Sequence, residues 1–246
     1  MIDIQVNNIS KRFSKQGEEI LKNLSFKLDA KDKIGILGPN GAGKTTLISI
    51  ICGILESTKG EVSYHENKQS LDYQEFKRVL GFVPQELALY QELTPIQNLN
   101  YFGAMYGLSK LAIEQKADVI LNKLGLLKVK NNKVVTFSGG MKRRMNLAIS
   151  ILHEPKILFL DEPTVGIDAQ SKNAIISFLN ELNADGTTII YTSHHLNEAE
   201  MLCNKVLLID KGEIVEYETI ENLKAKTNLK SLEEIFLALT GIEYRD

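Results

Sequence analysis

The stretch GPNGAGKTT, Gly38–Thr46, restricts what this chain can fold into more than any other. An apolar run, Ile34–Leu37, precedes it and reads as a buried strand, and a helical pattern over Lys44–Leu55 follows. Strand, glycine loop and helix in that order require a sheet whose strand ends at the loop. They also aim the first N–H groups of the helix at whatever the loop encloses. Gly38 to Thr45 fits the phosphate-binding pattern G-x-x-x-x-G-K-[ST] without a gap. The binding candidates are therefore Gly38, Pro39, Asn40, Gly41, Ala42, Gly43, Lys44, Thr45 and Thr46. Lys44 is expected on the β and γ phosphates, where it also serves catalysis, and the Thr45 hydroxyl on Mg2+.

Such a loop needs a carboxylate to hold the metal, at the end of a second buried strand. ILFLD supplies it: Ile157–Leu160 are apolar and Asp161 emerges at the C-terminal edge, where open α/β sheets bind ligands. Glu162 comes next and is the candidate general base for attack by water. A guanine-specific protein of this kind is expected to carry Asn-Lys-x-Asp. Asn132-Lys133-Val134-Val135 and Asn204-Lys205-Val206-Leu207 both lack the Asp, so the nucleotide expected is ATP.

Strands and helices alternate around these motifs. Ile2–Ile9, Leu24–Leu28, Glu61–Tyr64 and Gly81–Val83 read as strands, and Tyr73–Val79 as a helix. From about Leu87 to Leu127 the pattern is mostly helical, with a Pro95 start and glycine punctuation at Gly103, Gly107 and Gly125. Asp168–Leu182 reads as a helix, GTTIIYTS as a strand with a helix from Leu196, and KVLLIDKGEIVEY as a hairpin turning at Asp210-Lys211-Gly212. Ser231–Leu239 reads as a last amphipathic helix, with Ser231 as cap and Gly241 as stop. Continuous apolar strands between helices predict a mostly parallel sheet covered on both faces.

A net charge of −2 over 246 residues gives no general signal for nucleic acid, and none is expected as a partner. Cys52 and Cys203 lie in apolar stretches without metal-ligand spacing; reduced core thiols fit a cytoplasmic compartment. His65 and His153 have no ligand constellation around them and read as structural. The N-terminus alternates like a strand and lacks the apolar core of a signal peptide. The longest apolar run, Ile48–Leu55, falls far short of the roughly 20 residues a spanning helix needs, so the chain is not expected to cross a membrane by itself.

A second anion-ready helix start, TFSGGMKRRMNLAIS, stands at Thr136–Ser150. Taken in order and approximate spacing, GPNGAGKTT, FSGGM and ILFLDEP resemble the ATP-binding cassette (ABC) ATPases over nearly the whole chain. The resemblance implies that Ser138, Gly139 and Gly140 do not serve the phosphate loop of their own chain. They are similar to the family signature that caps the γ-phosphate of ATP held by the other subunit of a head-to-tail dimer. The signature usually ends in Gln, and Met141 stands here instead, a variant that resembles drug- and polysaccharide-exporting cassettes. Lys142, Arg143 and Arg144 read as a solvated helix face in preference to nucleotide contacts. By the same resemblance Phe13 falls where an aromatic ring stacks on adenine, with a core phenylalanine as the rival reading. Gln85 resembles the loop residue that senses Mg2+, and Asp168 the loop crossing the dimer interface, with a plain helix cap compatible. His194 resembles the γ-phosphate contact and His195 is left to surface or packing.

The resemblance implies an α/β P-loop NTPase with a mostly parallel core sheet, an N-terminal antiparallel β part and an inserted helical subdomain. Residues 1–232 are expected to form the ATP-binding domain, with the helical part at about 87–150, and 233–246 a short helical tail. The implied function is ATP hydrolysis in a homodimer or paired cassette, driving export of the ABC-2 type through an integral membrane permease subunit. The chain is then cytoplasmic and peripheral on the inner face of the membrane. The rival readings are a mechanical ATPase acting on DNA or ribosomes, and an importer cassette. A single cassette without heptad runs favours the transporter, and the tail LEEIFLALTG looks like that of exporter subunits.

Overall fold

The computed structural model describes residues 2–14 and 16–241. Contacts divide the chain into two compact units, one formed by residues up to Lys77 with those from Thr188 onward, the other by Arg78–Thr187.

The first unit begins with β1 (Ile2–Arg12) and β2 (Glu19–Leu28), followed by β3 (Lys33–Leu37) and α1 (Lys44–Ile51). Next come β4 (Lys59–Glu66), β5 (Gln69–Leu71) and α2 (Tyr73–Val79). Antiparallel pairing in the order β2-β1-β4-β5 makes a sheet, with Ile4 opposite both Leu28 and Tyr64. Alternation in β1 puts Ile2, Ile4 and Val6 in the core, as period-2 patterning requires. The strand β5 lacks an apolar alternation and was not legible in the sequence. Helix α1 stops at Ile51, short of the expected Leu55. Gly53 adopts the left-handed region (φ 67°), its N–H bonds Ile50 O, and the Ile54 N–H bonds Ser49 O. That pair of bonds closes the helix as a Schellman turn and leaves Ile54 exposed.

The second unit holds β6 (Leu80–Val83), α3 (Pro95–Met105), α4 (Lys110–Lys123), α5 (Gly139–Ile151), β7 (Ile157–Asp161) and α6 (Ala169–Ala184). Strands β6 and β7 pair in parallel, Gly81 against Leu158. Every residue of β7 is buried. Thr94 and Gln97 form a capping box around the Pro95 start of α3. His153 is structural, its ring stacked 3.8 Å from that of Tyr106 and its Nε2 2.9 Å from Leu80 O.

The chain returns to the first unit with β8 (Thr188–Ser193), α7 (Leu196–Leu202), β9 (Lys205–Asp210), β10 (Glu213–Thr219), α8 (Ile220–Thr227) and α9 (Leu232–Thr240). β3 pairs in parallel with both β8 and β9, and β9 continues into β10 as the expected hairpin. The α8 helix is an addition to the sequence reading: Thr219 caps it, but its Lys-rich turns carry a weak apolar period. The last helix runs as expected, with a Ser231–Glu234 capping box and Gly241 in the left-handed region. Leu232, Ile235 and Phe236 are its buried stripe, each worth about 1.5–3 kcal/mol of apolar burial.

Cys52 and Cys203 are buried free thiols, and burial pushes the Cys203 thiol up to about 12. The thiolate is the reactive form, and at mildly alkaline pH Cys203 has essentially none. The folded protein is therefore expected to give no rapid colour with Ellman's reagent, and both thiols to react in guanidinium chloride. Rapid reaction of either thiol in the native protein would contradict this core.

Candidate functional site

In the first unit the phosphate loop leaves β3 and enters α1. Lys44 is only 6% exposed, and its ammonium donates to Gly38 O at 2.8 Å and Pro39 O at 3.1 Å. A buried cation needs such partners, and here the loop itself curls around it. Gly43 starts the helix at φ 104° and makes no side-chain cap. A Cβ there would stand 2.6 Å from Leu21 Cδ2 and 3.2 Å from Ile20 O, so both conformation and space require glycine. The back of the loop is tied down: Ala42 O accepts the Gly212 N–H at 3.2 Å, and Gly212 O accepts the Lys22 N–H at 2.8 Å. A fixed loop, a helix N-terminus and a cation are the parts from which an anion site can be made.

Phe13 is 65% exposed, which removes the core reading for that ring. Its ring centroid lies 5.2 Å from Lys11 Nζ, which also donates to Glu56 O at 2.6 Å. Arg12, Phe13, Glu19, Thr58 and Lys59 line a cavity of about 390 Å³. His194 is half-buried just beyond β8, its ring 4.0 Å from that of His195. His195 is exposed, and its N–H donates to Ser193 Oγ at 2.8 Å.

In the second unit Asp161 ends β7 at 2% exposure and Glu162 follows at 8%. Glu162 takes φ 47°, a left-handed conformation that costs a non-glycine residue of order 1–3 kcal/mol. Gln85 Nε2 donates to Glu162 Oε2 at 3.2 Å, so the structure brings these two candidates together. Arg143 donates to the Gln85 carbonyl oxygen. Burial pushes its guanidinium below the ordinary arginine range, and the Glu162 charge pulls it back up.

The basic run after the glycine pair is half-exposed, and each of its cations also bonds a group of its own unit. Lys142 Nζ bonds Gln91 Oε1 at 2.8 Å, and Arg144 donates to Leu124 O at 2.8 Å and Gly140 O at 3.3 Å. Arg143 and Arg144 thus satisfy main-chain carbonyls, and Lys142 a side-chain amide, of the same unit. Arg143 was the residue missed by sequence reasoning. The available signal was its place, at i, i+3 and i+7, in a polar stripe with Asn146 and Ser150.

Ser138 caps α5, accepting the Met141 N–H at 3.3 Å, and Ser138 and Gly139 are exposed while Gly140 is buried. The two glycines differ in cause. A Cβ on Gly140 would lie 2.1 Å from Ser171 Oγ and 2.6 Å from Ser171 Cβ, at the start of α6. A Cβ on Gly139 would meet nothing nearer than Gly166 O at 4.0 Å. Packing within the unit demands glycine at 140 and not at 139. Asp168 caps α6 through the Ser171 N–H at 2.9 Å, and that bond with the Ser171 hydroxyl holds its carboxyl below the usual range.

Residues 21–165 match the family model described as ABC transporter. The chain is 40% identical over 239 residues to the linearmycin resistance ATP-binding protein LnrL of Bacillus subtilis (strain 168), covering 97% of this chain and 76% of that one. A solved ATP-binding subunit of an ABC transporter superposes with a TM-score of 0.84 at 28% identity, covering 96% of this chain and 99% of that one. A dimeric ATP-binding cassette in a post-hydrolysis state, bound to ADP and Pi, superposes with a TM-score of 0.77 at 25% identity. That match covers 88% of this chain and 98% of the other.

The contrast between the glycines predicts a split in stability. Gly140→Ala should cost about 1–3 kcal/mol through overpacking on Ser171, whereas Gly139→Ala should leave the unfolding midpoint near that of wild type. Thermal unfolding of the two variants decides it, and equal losses would contradict the packing account.

Proposed function

This chain belongs to the ABC transporter family, and on that premise we propose that it is the ATPase subunit of an exporter, working through separate membrane subunits. The family binds and hydrolyses ATP. In this reading Gly38–Thr46 takes the triphosphate and the Lys44 ammonium turns from the loop carbonyls to the β and γ phosphates. The exposed Phe13 ring offers its free face to adenine. The Thr45 hydroxyl and the Asp161 carboxylate hold Mg2+. These are hard oxygen donors, and no cluster of three or more His, Cys, Asp or Glu suited to a metal occurs among the described residues. So few protein ligands suit Mg2+, which keeps waters and takes phosphate oxygens. The ion, when bound, neutralises charge developing on the phosphates.

Glu162 polarises the attacking water and Gln85 orients that carboxylate through the 3.2 Å bond. His194 completes the contacts to the γ-phosphate. A second copy or paired cassette supplies Ser138, Gly139 and Gly140 as the opposing cap, with Asp168 near the shared surface. The observation that carries this dimeric reading is the exposed Ser138–Gly139 helix start, where the chain's own packing gives no reason for glycine at 139. A partner approaching that backbone does. Residues 1–232 are proposed as the nucleotide-binding domain, with about 87–150 as its helical subdomain and 233–246 as the tail.

Export through a membrane partner is favoured by the likeness to a resistance ATP-binding protein. A permease subunit then holds the chain at the cytoplasmic face.

Two outcomes follow from this assignment. Glu162→Gln keeps the shape and removes the base, a change worth about 10²–10⁴ in rate. It also removes a negative charge beside the γ-phosphate, so the variant should run as a dimer with Mg-ATP and a monomer without it. Light scattering coupled to size exclusion reads this, and a monomer at saturating ATP would overturn the dimer. Separately, Ser138→Arg and Lys44→Ala chains should each be inactive, and mixing them should restore ATPase from one intact composite site. A dead mixture in which mixed dimers are shown to form would refute sharing of the site.

A further inference from the structure

Three polar residues of α5, Arg143, Asn146 and Ser150, stand at i, i+3 and i+7 and so share one face of the helix. Asn146 is 1% exposed and Ser150 6%, a placement where a helix normally carries apolar side chains. Arg143 and Asn146 bond the main chain of the segment that follows β6, and Ser150 bonds the end of that strand. Ser150 Oγ donates to Phe82 O at 2.7 Å, Asn146 Nδ2 to Pro84 O at 3.4 Å, and Arg143 to Gln85 O. Asn146 Oδ1 accepts the Ala88 N–H at 3.1 Å. Beyond Val83 that backbone has left its strand and needs other partners, and the stripe provides them. The result is a clasp that fixes the segment bearing Gln85.

Within the clasp Arg143 is set apart. Asn146 and Ser150 hold neighbours of Gln85, whereas Arg143 holds Gln85 itself, and Gln85 in turn donates to Glu162 Oε2. Arg143 also lies one helical turn from Gly139, on the helix whose exposed start is the proposed dimer cap. We propose that Arg143 is a positioning residue for ATP hydrolysis, fixing the Glu162 carboxylate through Gln85 and tying it to the Ser138–Gly140 helix start. This rests on the reading of Glu162 as the general base. It assigns no contact between Arg143 and the nucleotide. Losing Arg143 frees the Gln85 main chain, lets the amide drift from Glu162, and leaves the phosphate loop untouched.

The test is a double-mutant cycle with full-length protein, read by steady-state ATPase, ATP titration and thermal unfolding. Arg143→Ala should lower kcat roughly 10–100-fold, the scale of an ångström-sized misplacement, with KM for ATP within about twofold. Arg143→Lys, which keeps a cation able to donate to one carbonyl, should recover most of that loss. In a Glu162→Gln background, Arg143→Ala should add less than about a twofold further loss, because the group it positions is gone. Full multiplication of the two losses, or a kcat for Arg143→Ala within twofold of wild type, overturns the proposal. Should Arg143→Ala not fold, Arg143→Met keeps the apolar stem and takes its place in the same cycle. If Glu162→Gln hydrolyses ATP as fast as wild type, the base assignment fails and this proposal with it. If Glu162→Gln is slow and Arg143→Ala is not, Arg143 alone is wrongly assigned.

Discussion

A lysine ammonium buried inside a loop of nine residues is the constraint around which the first unit is arranged. Lys44 at 6% exposure would be intolerable without acceptors, and Gly38 and Pro39 turn their carbonyls inward to supply them. Those carbonyls can converge only if the loop is sharply curved, and the curvature is fixed from outside by β3, by the left-handed Gly43 and by the Gly212 turn. The β9–β10 hairpin, remote in sequence, is therefore part of the phosphate loop's support. The same loop ends at the first turn of α1, whose N–H groups have no partner earlier in the helix. The cation and the donors are one construction.

The start of α5 meets a different requirement. Ser138 caps it from within, as at an ordinary helix, yet the first turn is stripped of side-chain bulk at two successive positions. Gly140 is explained by the close approach of α6, whose own start is held by Asp168. Gly139 is explained by nothing in its unit. The proposed function gives that glycine a reason, as a backbone approached by the nucleotide of a second copy. Behind the cap, α5 spends its polar face on the segment carrying Gln85, which orients the strained Glu162. The strained φ of 47° sits within a buried run, residues 161–164.

Much of this was legible in the residues. The strand before Gly38, the helix from Lys44, the buried ILFLD strand, the hairpin at Lys211 and the capped last helix all stand where apolar period and punctuation put them. These elements depend on local signals: runs of apolar residues, a capping box, glycine at a helix end. The misreadings share a cause. The Leu55 end of α1 was overrun because a Schellman closure at Gly53 leaves the following apolar residues looking like helix. The strand β5 and the helix α8 lack a strong apolar period. The partners of the basic run at 142–144 were not legible either, because they come from segments remote in sequence.

The sequence by itself determined the chemistry that each segment can offer: an anion loop, a carboxylate pair after a buried strand, and a second helix start shorn of side chains. It could do so because backbone geometry near glycine, and the spacing of donors along a few residues, are local properties. Tertiary structure alone decided which partner each group takes. It placed Phe13 outside the core, joined Gln85 to Glu162, gave Arg143 to a loop carbonyl, and separated a glycine required by packing from one that is not. Those pairings join residues tens of positions apart, through space that no local pattern describes.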